Sequence, residues 1–289
     1  MPPLTLYAPA KLNLFLHMLA RRADGYHEIE SLVAFTELAD ELTIEPAPTL
    51  SLEVRGEFAS DAGGGMHNLV LKAAAMLQTH SYNTLQGAQI TLTKHIPVGA
   101  GLGGGSADAA AALRGLNQFW GLGFDTATLQ RIASTLGADV AMCIESVPTI
   151  ARGVGEVLAP LTKPLPKIYV VLVHPRVPLL TKDVYAALEM PTSIAPWVET
   201  VVTPNDFFAS LAPTRNHLQR AAISISPVVA ELLLALETLQ PAANFVRMTG
   251  SGACCYALFE DAEHARKSAE TIRQQQPEWW VQSTELRTS

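Results

Sequence analysis

Five of the seven residues from Gly99 to Gly105 are glycine, and they separate a strand-like run from an alanine-rich helical run opening at Ser106. Ordering that many glycines costs conformational entropy that a plain connector would avoid. Glycines also leave backbone N–H groups bare at a helix N-terminus, which makes an anion site. The segment Pro97-Val98-Gly99-Ala100-Gly101-Leu102-Gly103-Gly104-Gly105-Ser106 therefore predicts a strand, a phosphate-binding loop and a helix in succession. A P-loop would carry lysine between its last glycine and the serine, and Gly105-Ser106 has none. The spacing G-x-G-x-x-G is met by Gly99, Gly101 and Gly104, with Asp125 about 20 residues further on. In a dinucleotide fold that acid ends a strand, whereas Asp125 precedes a helical run it can cap. Pro97 also interrupts the strand that should lead into the first glycine.

Around the loop the pattern is mixed. Leu4 to Met18 reads as a strand, with Leu12, Leu14 and Leu16 alternating against Lys11, Asn13 and Phe15. Glu41 to Glu45, Ser51 to Val54 and Ala88 to Thr93 are further strands, and Asn68 to Thr79 has helical spacing. Ser106 is read as the N-cap of a helix to Gln118, and Asp125 caps a second helix, Thr126 to Leu136, stopped by Gly137. After the turn Arg152-Gly153-Val154-Gly155, the proline-punctuated stretch Pro160 to Pro166 is the expected domain boundary. Beyond it come the strand Ile168 to Val173, helices Lys182 to Leu188 and Val228 to Leu239, the strand Ala253 to Glu260 and the helix Ala262 to Gln275. The fold class is α+β in two domains, 1–160 and 161–289. Pro191 to Pro213 shows no usable periodicity, and there is no internal repeat.

Composition narrows the function. The 289 residues are 48% hydrophobic and 16% charged, as in an ordinary folded protein. A net charge of -7 argues against general nucleic-acid binding, which needs clustered Lys and Arg. Cys143, Cys254 and Cys255 form no CxxC pair, so neither a disulfide framework nor zinc is expected, and a reducing compartment is. No signal peptide and no apolar run of about 20 residues is present, so the expected setting is cytoplasmic, without a membrane partner.

Pro97 to Ala112 resembles the phosphate loop of the galactose, homoserine, mevalonate and phosphomevalonate kinases, the GHMP superfamily. Ala8-Pro9-Ala10-Lys11-Leu12-Asn13-Leu14 with Asp24-Gly25-Tyr26-His27 resembles the N-terminal motif of one branch, the 4-diphosphocytidyl-2-C-methyl-D-erythritol kinases. Thr249-Gly250-Ser251-Gly252-Ala253 resembles the C-terminal glycine motif. The resemblance implies a two-domain GHMP kinase fold: a ribosomal-protein-S5-like α+β domain bearing the loop, and a ferredoxin-like C-terminal domain. It implies an active site in the cleft between them. The implied activity is transfer of the γ-phosphate of ATP, with Mg²⁺, to a hydroxyl of a cytidine-diphosphate-linked polyol.

The same resemblance assigns residues. Asp139 would accept or orient the acceptor proton, and Lys11 would hold it ionised and draw charge from hydroxyl and phosphate. Pro97, Gly99, Gly101, Leu102, Gly103, Gly104, Gly105 and Ser106 would cradle ATP, with Ser106 on the phosphates or Mg²⁺, and Asn68 and Lys94 would stand around the adenine. Asn13, Tyr26, His27, Thr181, Tyr185, Gly250, Ser251 and Gly252 would bind the acceptor, with the cytosine stacked between Tyr26 and Tyr185 and read by His27. Plainer readings stand beside these: Asp139 as the N-cap of a helix over Val140 to Ile144, Ser106 as a cap, Tyr185 as a core aromatic, and Tyr26-His27 as a surface turn. Asp108 suits the helix dipole but would repel phosphate, so it should face away or act through Mg²⁺. Ala107, Ala141 and the histidine of Asn216-His217-Leu218 depart from the family's pattern. The rival functions are another GHMP small-molecule kinase and a non-catalytic nucleotide-binding regulator.

Overall fold

The computed structural model describes residues 2–65, 67–80, 87–191 and 207–288. Strands β1 (Leu4–Arg21) and β2 (His27–Glu45) pair with each other. The turn joining them closes when the Arg22 N–H donates to Tyr26 O at 2.8 Å and the Gly25 N–H to Arg22 O at 3.1 Å. The alternation read in β1 does not leave a wet face. Every residue from Ala8 to Met18 is buried, Lys11 and Asn13 included. A strand covered on both sides needs partners for each polar group it carries.

Packing divides the chain into two compact units assembled from interleaved segments. The first comprises Met1–Lys11, Leu38–Val98 and Gly103–Ser146, and the second Leu12–Glu37, Gly99–Leu102 and Val147–Ser289. β1 and β2 thus supply residues to both.

In the first unit, β3 (Leu50–Gly56) is followed by α1 (Ala59–Ala62), α2 (Leu69–His80) and β4 (Ala88–Lys94). β4 runs parallel to β3, with Leu92 opposite Val54, and antiparallel to β2, with Leu92 opposite Leu42 and Ile90 opposite Ile44. The parallel pair is possible because a helical crossover separates its strands. The glycine loop leads into α3 (Gly104–Phe119), then α4 (Thr126–Ser134) and α5 (Ala138–Met142). α3 packs against α2, α4 and α5. Ala107 and Ala109 through Ala112 are all buried, so the alanine run marks a helix enclosed on every side. At Gly115 a Cβ would come within 2.5 Å of Leu6 Cδ1 and 2.6 Å of Ile44 Cδ1. Asp125 caps α4 as read, accepting from the Thr128 N–H at 2.8 Å.

In the second unit β5 (Thr149–Gly153) pairs antiparallel with β2, Ile150 opposite Leu32, and with β6 (Val157–Pro160) across a tight turn. β7 (Tyr169–His174), α6 (Thr181–Ala186), α7 (Phe207–Leu211), α8 (Gln219–Ile225), α9 (Val228–Glu237), β8 (Phe245–Met248), β9 (Cys255–Phe259), α10 (Ala262–Gln275) and β10 (Trp280–Glu285) follow. A wholly antiparallel sheet forms in the order β10-β7-β9-β8. Its core joins Val171, Val173, Ala257 and Phe259 to Leu232 and Leu236 of α9 and Ala269 and Ile272 of α10. Of the stretch without periodicity, residues 192–206 lie outside those described. Among the described residues no helix is long and apolar enough to cross a membrane.

Enlarging a side chain in the middle of α3 should be poorly tolerated. Ala111→Leu forces added methylenes into a site with no exposed surface, and we expect a loss of about 1–3 kcal/mol. A lowered urea midpoint at unchanged slope would register it; an unchanged midpoint would mean that the helix has slack.

Candidate active site

Lys11 enters on β1 and Asp139 on the first turn of α5, and their side chains meet. Lys11 Nζ donates to Oδ1 and Oδ2 of Asp139, each at 3.2 Å. The lysine side chain is 6% exposed and that of Asp139 49%. A buried ammonium needs a counter-charge, and this one finds a carboxylate whose other side stays open to solvent. The capping role read for Asp139 is not what the structure has. The N-cap of α5 is Gly137, without a side-chain cap, because Asp139 already lies within the helix. Arg114, on α3, aligns the carriers of both groups: Nη1 donates to Cys143 O and Ile144 O at the end of α5, at 2.8 and 2.9 Å, and Nη2 to Tyr7 O of β1 at 3.1 Å.

Gly103 lies directly against Lys11. It is the N-cap of α3 with φ +64°, and a Cβ there would stand 3.3 Å from both Cβ and Cε of the lysine. Only glycine combines that backbone with that approach. The N-cap expected at Ser106 is therefore corrected: the cap lies three residues earlier, at Gly103, and capping falls to a residue with no side chain. The Ser106 hydroxyl has no hydrogen-bond partner among the described residues and stands half-buried in the first turn. Gly105 is exposed, and Pro97 and Leu102 are buried.

Lys94 and Asp108 occupy the ground beneath that turn. Lys94 Nζ donates to Asp108 Oδ2 at 2.7 Å and to Asp40 Oδ2, and all three side chains are buried. Asp40 Oδ1 accepts from the His95 and Ile96 N–H groups at 2.5 and 2.9 Å. Burial raises the Asp108 carboxyl above its ordinary range, with Lys94 opposing and Asp40 reinforcing the shift. Lys94, expected around the adenine, thus has its ammonium enclosed by carboxylates. Asp108 turns Oδ2 to this lysine, while its buried Oδ1 has no partner among the described residues. Asn68 serves its own turn: Oδ1 accepts from the Val70 N–H at 2.9 Å, and Nδ2 donates to Gly63 O at 2.8 Å. Asp40 was not anticipated, because one acid in Glu37-Leu38-Ala39-Asp40-Glu41 carries no signal that sets it apart from its neighbours.

The second unit holds the middle of the loop and the residues expected on the acceptor. A Cβ at Gly101 would lie 2.6 Å from Thr249 O and 2.9 Å from Gly252 O, so glycine there lets the loop seat on the motif Thr249 to Ala253. The Cys254 N–H also donates to Ala100 O at 3.1 Å. Asn216 braces the motif from behind, donating through Nδ2 to Met248 O and Gly250 O, both at 2.8 Å. Ser251 and Thr181 share a hydroxyl hydrogen bond of 2.9 Å. Asn13 donates its N–H to Thr249 Oγ1 at 2.9 Å and its amide to Ser31 Oγ at 2.7 Å, while its buried Oδ1 has no partner among the described residues.

His27 and Tyr185 come together, with ring centroids 5.4 Å apart and planes at 44°. Tyr26, which precedes His27 in the chain, is 64% exposed. Burial first, and then Arg21, hold the His27 imidazole below its ordinary pKa, which favours a neutral ring with one donor and one acceptor nitrogen. Tyr185 also packs against the core of this unit. The departure at His217 has a structural use: its ring stacks on His17 at 5.0 Å, and Nδ1 accepts from the Met18 N–H at 2.9 Å.

The sequence profile of the GHMP kinases N terminal domain matches residues 68–146, and that of the GHMP kinases C terminal matches 207–278. A 4-diphosphocytidyl-2-C-methyl-D-erythritol kinase of Nitrobacter hamburgensis is 44% identical over 290 residues, covering 96% of this chain and 94% of its own length. One of the same name from Paramagnetospirillum magneticum is 44% identical over 99% of both chains. A crystal structure of a 4-(cytidine 5'-diphospho)-2C-methyl-D-erythritol kinase superposes with a TM-score of 0.83 at 34% identity, covering 99% of this chain and 100% of the other. A homoserine kinase from Cytophaga hutchinsonii, at 19% identity and a TM-score of 0.74, shares the fold. With a lysine–carboxylate pair beside a glycine-capped helix and this likeness along its whole length, the chain belongs to the GHMP kinases and, within them, to the 4-diphosphocytidyl-2-C-methyl-D-erythritol kinase family.

Proposed function

We propose that this chain transfers the γ-phosphate of ATP to the 2-hydroxyl of 4-diphosphocytidyl-2-C-methyl-D-erythritol. The product is the 2-phosphate, a step of the non-mevalonate (methylerythritol phosphate) route to isoprenoids. The observation that carries the reading is the Lys11–Asp139 pair against Gly103, with the Asp139 side chain half exposed. The relatives' shared name supports the substrate.

Phosphoryl transfer asks the protein for alignment and charge stabilisation more than for covalent chemistry. Asp139 orients the acceptor hydroxyl and takes its proton, while Lys11 draws charge from the attacking oxygen and the phosphoryl group. Bare amides from Gly99 to Gly105 hold the phosphates at the positive end of α3. The Ser106 hydroxyl, unpartnered among the described residues, would fit Mg²⁺ carried by the nucleotide, an ion that neutralises phosphate charge when bound. Tyr26 and Tyr185 stack on the cytosine, and neutral His27 reads its edge. Thr181, Asn13 and the motif Gly250-Ser251-Gly252 complete the acceptor's polar contacts. Three free, buried thiols fit a reducing, cytoplasmic setting.

The decisive comparison is a coupled assay of ADP release with and without the cytidine-linked acceptor; equal rates would remove the substrate assignment. Asp139→Asn keeps the shape but removes the charge, so kcat should fall at least roughly 100-fold while calorimetry still finds ATP binding. A variant that keeps its turnover would reduce Asp139 to a counter-ion for Lys11.

Gly103→Val should abolish ATP binding, because a β-branched side chain cannot adopt that backbone and would push on Lys11. Circular dichroism should still show a folded protein, and unchanged ATP affinity in it would show that the loop does not cradle phosphate.

The acceptor residues should separate by kind. Tyr26→Ala loses a stacking face and should weaken the acceptor by about 1–3 kcal/mol with ATP affinity unaltered. His27→Ala should instead narrow the preference for cytidine over uridine acceptors, since a site left without its hydrogen-bonding group no longer rejects the wrong edge. If kcat/KM for both acceptors is unmoved in both variants, the pair is a surface turn.

A further inference from the structure

Lys94 is fully enclosed, yet it lies within a few residues of the glycine loop, where Val98, Gly99 and Gly105 are exposed. Its ammonium meets carboxylates from two directions. Asp40, on β2, also receives the N–H groups of His95 and Ile96, the residues that lead into the glycine loop. Asp108, on α3, belongs to the helix whose N-cap, Gly103, ends the loop. Gly104 rests directly on this cluster: a Cβ there would lie 3.3 Å from Lys94 Nζ and 3.1 Å from Ile96 Cγ2. Packing alone does not account for three ionisable groups here, since apolar side chains of similar volume fill such a space as well or better.

We propose that Lys94 is a positioning residue, which ties the entry of the glycine loop to its exit through Asp40 and Asp108 and so holds the loop amides at the spacing that ATP phosphates require. The inference rests on the reading of the loop as the phosphate cradle. It replaces a direct contact between Lys94 and the adenine with an indirect action on the phosphates. Asp108 takes its place in the same device, turned away from the ligand because its partner lies beneath the helix.

The two roles for Lys94 have opposite signatures. Calorimetric titration of wild type, Lys94→Met, Asp108→Asn and Gly103→Val with ATP, ADP and adenosine separates them. The tie predicts that Lys94→Met and Asp108→Asn each weaken ATP and ADP about tenfold, the worth of a charge-assisted hydrogen bond, while adenosine affinity stays within about twofold. A base contact predicts that Lys94→Met weakens adenosine together with ATP, and that Asp108→Asn, which loosens the hold on the ammonium, does not weaken ATP. Either result overturns the proposal, and so does a lowered melting temperature with all three affinities unchanged. Should Lys94→Met fail to fold, Asp108→Asn decides alone, because it keeps the side-chain shape and an acceptor oxygen for the lysine. Gly103→Val guards the premise. Unchanged ATP affinity there means that the cradle reading fails, whereas loss of ATP there with wild-type affinities in the other two variants overturns the tie alone.

Discussion

A charge removed from water must be met by opposite charge and hydrogen bonds, and in the first unit that requirement falls on Lys94. Its two carboxylates come from β2 and α3, and the lysine itself ends β4. Three elements are therefore bound to a common point beneath the first turn of α3. Displacing any one of them would leave a buried ion without its partner, which costs several kcal/mol. The same point receives the amides that open the glycine loop. A loop rich in glycine has little rigidity of its own, so its order is borrowed from the frame at its ends and, in the second unit, from the close seat of Gly101 on Thr249 and Gly252.

Two lysines thus perform different work with similar chemistry. Lys94 is held by two carboxyl groups that are as buried as itself. Lys11 is just as buried, but its partner Asp139 is half in water. A carboxylate held by a fixed cation on one side and open on the other is suited to receive a hydroxyl, because its position is set before the ligand arrives. Arg114 adds to that preorganisation by holding the strand that carries one group and the helix that carries the other. The kinase fold, shared with enzymes that act on other acceptors, does not choose among them. In the proposed reading that choice falls to Tyr26, His27 and Tyr185, on the hairpin turn and α6 of the second unit.

Much of the local architecture was legible in the sequence. The loop between a strand and an alanine-rich helix, the Asp125 cap, and the helices over 228–239 and 262–275 all follow from spacing and backbone preference. Elements that lack such a signal were not: β8 and β10 are short, α8 is brief, and the first half of β2 alternates poorly because it is covered on both faces. Interleaving of the two units was equally hidden, since nothing in an 18-residue strand announces that it serves both.

What the sequence determined by itself is the set of conformations each segment prefers. Glycine permits the left-handed backbone at 101 and 103, and alanine permits the close approach of α3. Those preferences act over a few residues and need no distant partner. Only the tertiary structure decided which charges meet. Lys11 finds Asp139 across 128 residues and Lys94 finds Asp40 across 54, while Ser106 and Asp139 lose the capping roles their neighbourhoods suggested. Ion pairing depends on burial and distance, and both are properties of the packed chain.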